Sequence, residues 1–262
     1  MRSGKPAAAF AVLLVVSFAT MNAMPSDTLL AAMLQEAVLA LVALVAVRFA
    51  VPDVLKRCTQ AVQQRNTVRF AAIALLLTGL IGGTVTLLTW LFADGGNVSG
   101  FVSAALPLAA GLIRNLLLLL GICLLTGVYE EAFMRVLGIE AFERALDTKR
   151  AILASAALFA LLHVGAPDVS AGQLVLLQTA LKFGQALLFG VILGALYART
   201  RRLWPCAFIH AGFDILYMAP NVLLTGTMPE TYASGAVGDT VLLAVSVLML
   251  SGIVLKIRKE IA

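Results

Sequence analysis

Apolar residues run through this chain in long blocks separated by short polar connections, without the strict alternation of a half-buried strand. A helix needs about 20 such residues to cross the ~30 Å of hydrocarbon in a bilayer. Blocks near 7–24, 29–51, 69–92, 116–138, 151–167, 174–198, 203–219 and 240–256 predict about eight transmembrane helices. The expected fold is all-α and polytopic, a single membrane domain over residues 1–262. No internal repeat or long linker interrupts it.

Composition agrees, since 61% hydrophobic residues, 13% charged residues and a mean hydropathy of +0.99 exclude an ordinary soluble chain. A net charge of +5 would suit nucleic acid, but the positions of the charges point elsewhere. Sixteen of the 19 Lys and Arg residues fall on alternate connections. They are Arg2 and Lys5, then Arg48, Lys56, Arg57, Arg65 and Arg69, then Arg144, Lys149 and Arg150. Arg199, Arg201 and Arg202 come next, and Lys256, Arg258 and Lys259 close the chain. The intervening connections carry Asp27, Asp94, Asp168, Glu230 and Asp239, with Arg114, at the border of the fourth block, as their one Lys or Arg. The positive-inside rule then predicts both termini in the cytoplasm, with a bacterial inner (plasma) membrane as the expected location. Anionic lipid of the bilayer, and no nucleic acid, is the expected partner of the basic excess.

Smaller signals adjust this picture only slightly. Arg2 and Lys5 before Ala7–Thr20 resemble a signal peptide, but no clear small-x-small cleavage site precedes Pro25, which favours an uncleaved first span. Cys58, Cys123 and Cys206 show no ligand spacing, so neither a disulfide nor a structural zinc site is expected. Asn97-Val98-Ser99 fits a glycosylation triplet that arises often by chance. Gly79–Gly83 and Gly190–Gly194 have the spacing that lets helices approach closely, read here as internal packing. Trp90 and Trp204 fall near span ends, where indole suits the membrane interface.

Ionisable groups inside spans are expensive and mark function. Glu130, Glu131 and Arg135 interrupt the fourth block, and the only two histidines, His163 and His210, interrupt the fifth and seventh. Glu131 and Arg135 stand i, i+4 with the acid first, the better order for a helical ion pair. Glu130 lies ~100° around the helix from Glu131 and is left free as a general base or acid. Phe159 shares a helix face with His163 and is expected to pack beside its ring. Asp214 shares one with His210, where it can orient the ring, accept a proton or bind a metal. Three carboxylates against one guanidinium leave a net charge of −2 with both histidines neutral. Such a site must hold extra protons, admit water or bind a cation. Glu36 and Lys182 each lie about eight residues from an outer end and are read as a structural pair, with Arg114 reaching outward.

These motifs, taken in order, resemble the CPBP superfamily: the CAAX proteases and the Abi or bacteriocin-processing proteins. The resemblance rests on Glu130-Glu131-x-x-x-Arg135, Phe159-x-x-x-His163 and His210-x-x-x-Asp214, with Phe189–Gly194 and Tyr197–Pro205 between them. It covers about 115–216, the expected catalytic core. It implies an intramembrane endopeptidase acting on a membrane-associated protein or peptide. In it Glu130 and His163 activate water, His210 and Asp214 stabilise the oxyanion, and Glu131 and Arg135 support them. Two departures stand out: Val136 comes after Arg135 where the family often has Gly, and Asp214 stands where it often has Asn. An ionised Asp cannot donate to an oxyanion. The resemblance favours no cofactor, while a zinc site of His163, His210, Glu130 and Asp214 stays open as an alternative. An ion-coupled transporter using the same residues also stays open, although no inverted repeat supports it.

Overall fold

The computed structural model describes residues 4–24, 26–56, 65–92, 98–164, 170, 172–228 and 233–261, and among them no strand occurs. Arg2, Arg57, Cys58, Asp94, Asn97, Asp168 and Glu230 lie outside the described residues. Helices α1 (Lys5–Ala23) and α2 (Leu29–Ala50) are succeeded by the short α3 (Pro52–Lys56) and by α4 (Arg65–Phe92). Helix α5 (Val98–Glu130) passes without a break into a π-helical stretch, Glu131–Ile139, and ends in α6 (Glu140–Phe142). Then come α7 (Thr148–Val164), α8 (Gln173–Thr200), α9 (Leu203–Thr225) and α10 (Val237–Ile261).

Local chemistry sets several of these boundaries. Thr28 Oγ1 accepts the Ala31 amide at the start of α2, and Asp147 Oδ1 accepts that of Arg150 at the start of α7. Arg201, at φ 50°, turns the chain between α8 and α9. That left-handed conformation is held by its guanidinium, 2.8 Å from Glu140 Oε1 and 2.7 Å from Glu143 Oε1. Burial works against the Arg201 charge, but the bonds and charge of Glu143 and Glu140 prevail and hold its pKa above the ordinary value. Helix α9 runs past the expected end at 219, through Pro220, to Thr225. A membrane helix tolerates such a proline where neighbouring groups satisfy the freed carbonyl.

Seven described helices, α1, α2, α4, α5 with its π extension, α8, α9 and α10, are long and apolar enough to cross a membrane. The protein is an all-α integral membrane protein. The remaining expected span corresponds to α7, which has 17 described residues, about 26 Å of helix. The basic connections gather at one end of the bundle. There a Cβ at Gly4 would stand 3.6 Å from the Arg144 guanidinium, and Lys256 Nζ sits 4.3 Å from the Phe70 ring centre.

Helix α9 is central, packing on α5 and α4, while α7 packs on α8 and α10 bridges α8 and α4. Both GxxxG pairs serve internal contacts. A Cβ at Gly190 would stand 3.0 Å from Ala156 in α7, and one at Gly83 would overlap the Leu216 carbonyl oxygen in α9. Gly83→Val should therefore lower stability by about 1–3 kcal/mol through overpacking. The measurement is thermal unfolding in detergent, with Gly252→Val beside it, since nothing lies within 4 Å of a Cβ there. An equal loss in both variants would trace the effect to the chain and not to the α4–α9 contact.

Candidate active site

The π-helical stretch carries the least accessible charges among the described residues, Glu131 and Arg135. All nine residues from Glu131 to Ile139 are buried. Glu131 Oε2 and Arg135 Nε approach to 3.2 Å, with both side chains fully inaccessible. This ion pair is close but angled away from a hydrogen bond, and the other Arg135 nitrogens have no hydrogen-bond partner among the described residues. The guanidinium instead lies 4.6 Å from the Phe159 ring centre, where the ring quadrupole attracts it. Ser155 Oγ in α7 donates to the Met134 carbonyl at 2.6 Å and ties the stretch to its neighbour.

Helix α9 brings His210 onto these acids. Its Nδ1 is 2.9 Å from Glu131 Oε1, and Nε2 faces Glu130 Oε2 at 3.5 Å and Asp214 Oδ2 at 3.4 Å. A carboxylate paired with Arg135 only accepts, so Nδ1 of His210 donates to Glu131. Helix α7 supplies His163 from the other side. Its Nδ1 donates to the Phe159 carbonyl at 2.8 Å, and Nε2 is 4.0 Å from Glu130 Oε1. With Nδ1 protonated, Nε2 of neutral His163 carries its lone pair toward Glu130.

Aromatic rings frame the cluster. Phe159 lies tilted 4.2 Å from His163 and edge-on 6.2 Å from His210, and Phe189 meets His210 edge-on at 4.8 Å. A cavity of ≈ 360 Å³ opens beside them, with Glu130 and His163 in its wall. Its other walls are mostly apolar, with Leu14, Phe18 and Met21 of α1, Phe133 and Met134 of the π stretch and Leu162 of α7, and Ser17 and Tyr129 add two hydroxyls. Among the described residues, no three His, Cys, Asp or Glu side chains are placed to hold a metal ion.

Residues 112–216 match the family model described as Type II CAAX prenyl endopeptidase Rce1-like. This stretch is an Rce1-like domain. No curated protein matches the chain. The matched stretch runs from within α5 into α9; it implies a peptide hydrolase and is consistent with the CPBP superfamily. All seven residues singled out by the motifs, Glu130, Glu131, Arg135, Phe159, His163, His210 and Asp214, fall inside it.

Other neighbours of the Rce1-like site were not legible from motif spacing. Glu131 is anchored to His210 as well as to Arg135, a contact across 79 positions. Phe159, expected as packing, also supports the Arg135 guanidinium. Glu36 and Lys182, read as a structural pair, both lie within electrostatic range of Asp214. Lys182 Nζ donates to Gln185 Oε1 at 3.1 Å, and Gln185 donates to Tyr217 at 3.0 Å. Lys182 is also within electrostatic range of Asp214, Glu130 and His163. Glu36 hydrogen-bonds Thr126 and feels the charges of Asp214 and His210. The available signal was the rarity of charge within spans.

Proposed function

We propose that this protein is a glutamate-type intramembrane endopeptidase acting on a membrane-associated protein or peptide. The observation that carries the reading is Glu130 facing the lone pair of His163 Nε2 across 4.0 Å in a cavity wall. A water bridging the two at ~2.8 Å from each gives one proton to Glu130 and turns its oxygen on the peptide carbonyl. The carbonyl becomes a tetrahedral oxyanion. His210, donating through Nδ1 to Glu131, presents an Nε2–H only as the doubly protonated ring. In that form it offsets the surrounding acids and donates to the oxyanion. Collapse breaks the C–N bond, and Glu130 returns its proton to the leaving amine. Asp214 holds the His210 ring from one side, Glu131 and Arg135 fix it from the other, and Phe159 supports both histidine helices.

The family description points to a prenylated substrate, but the apolar cavity supports an apolar peptide segment equally well. The gathering of basic connections at one end supports both termini in the cytoplasm. Purified protein in liposomes should cleave a fluorogenic peptide with apolar flanks. The rate should be unchanged after incubation with 1,10-phenanthroline. Inhibition reversed by added zinc would favour the metal version of the site, and proton flux without hydrolysis would favour a transporter.

A further inference from the structure

Outside the motifs, a cation reaches the site from α8. Lys182, Gln185 and Phe189 stand i, i+3 and i+7 and share a face of that helix. His210, Asp214 and Tyr217 stand i, i+4 and i+7 and share a face of α9. The two faces meet at two points. Phe189 lies edge-on against His210 with ring centres 4.8 Å apart, and Gln185 Nε2 donates to the Tyr217 hydroxyl at 3.0 Å. Asp214 stands between these contacts along α9. Lys182 Nζ donates to Gln185 Oε1 at 3.1 Å, which holds the ammonium group beside the same stretch, within electrostatic range of Asp214.

Asp214 Oδ2 is 3.4 Å from His210 Nε2, the nitrogen that donates to the oxyanion in the mechanism above. A carboxylate there competes for that N–H and repels the negative charge as it develops. A neutral amide at this position would do neither. The charge count sharpens the conflict. Glu130, Glu131 and Asp214 against Arg135 and a doubly protonated His210 leave one negative charge in excess. Glu36 adds a fourth carboxyl within range of Asp214 and His210. An excess of this kind is costly in a buried site unless a cation answers it.

We propose that Lys182 is a positioning residue of the site, the counter-charge that lets Asp214 stand where the family often has Asn. Its ammonium group offsets the Asp214 charge as the oxyanion forms, and leaves the His210 Nε2–H for the reacting oxygen. Lys182 acts through Asp214, and the chain from Lys182 through Gln185 to Tyr217 keeps it in place. The inference rests on the peptidase reading for the oxyanion, so the pairing itself is tested first without proteolysis.

Lys182→Gln, Asp214→Asn and the double variant are compared with the wild type by thermal unfolding in detergent. Lys182→Gln should lower the midpoint by a few degrees, and much less where Asp214→Asn is already present. In liposomes with the fluorogenic peptide, Lys182→Gln should reduce kcat about tenfold with KM nearly unchanged, because the charge it offsets develops in the transition state. The same change on the Asp214→Asn background should reduce kcat less than about twofold. Lys182→Arg, which keeps the charge, should lose little. Equal effects of Lys182→Gln on the two backgrounds, in either measurement, would overturn the proposal and leave Lys182 a structural member of the Gln185–Tyr217 chain. If Lys182→Gln alone does not fold, Asp214→Asn must recover the fold, and a double variant that stays unfolded overturns the proposal. Coupled stabilities in a protein that hydrolyses no peptide would sink the peptidase reading and leave the pairing standing. Hydrolysis with uncoupled stabilities would do the reverse.

Discussion

Glu130→Gln is expected to lower peptide turnover by roughly 10²–10⁴-fold while leaving the protein folded. Gln keeps the size of the side chain and its place beside His210 but cannot take a proton from water. The fold should survive because Glu130 Oε2 has no hydrogen-bond partner among the described residues, so the change breaks no network. The measurement is the initial rate of hydrolysis in liposomes at saturating peptide, with thermal unfolding alongside. Undiminished turnover would remove Glu130 from the chemistry. Glu131→Gln tests the division of labour between adjacent acids, because Glu131 holds both Arg135 and the His210 ring. Its main effect should be on stability, with activity lost through the displaced ring.

The second large effect belongs to Arg135. Removing one partner of a buried ion pair strands the other, which typically destabilises by about 3–5 kcal/mol. Arg135→Met should therefore lower the unfolding midpoint sharply, and the double variant with Glu131→Met should recover part of that loss. Arg135→Lys separates charge from shape. It keeps the cation but loses the planar group lying over Phe159. A variant Arg135→Met as stable as the wild type would show that the contact with Glu131 does not hold the fold.

Much of the fold is legible in the chain itself. Apolar blocks mark the helices because bilayer thickness fixes their length, and the i, i+4 spacing pairs Glu131 with Arg135 correctly. Phe159 beside His163 comes from the same helical geometry. Spacing along one helix cannot give the rotation between helices. The bond from His210 to Glu131, the approach of Lys182 and Glu36, and the α1 wall of the cavity all depend on how separate helices face each other. The end of α9 beyond Pro220 escapes prediction because proline stops soluble helices more reliably than membrane spans. The π stretch is invisible for a different reason, since no residue type announces it.

That stretch has a consequence for comparing this chain with its relatives. A wider turn accommodates one residue more than an α-helix over the same length, so it fixes the angular phase between α5 on one side and α6 on the other. Glu130 looks into the site from one end, while Glu140 and Glu143 grip Arg201 from the other. Deleting a single residue between Glu131 and Ile139 would restore an unbroken α-helix and keep the span. The two ends would keep nearly the same phase, but side chains between the deletion and the end of the widened turn would move one position, ~100° around the axis, and lose their partners. A gap at this point in an aligned sequence is thus a sharper sign of a lost active site than substitution of many of the surrounding side chains.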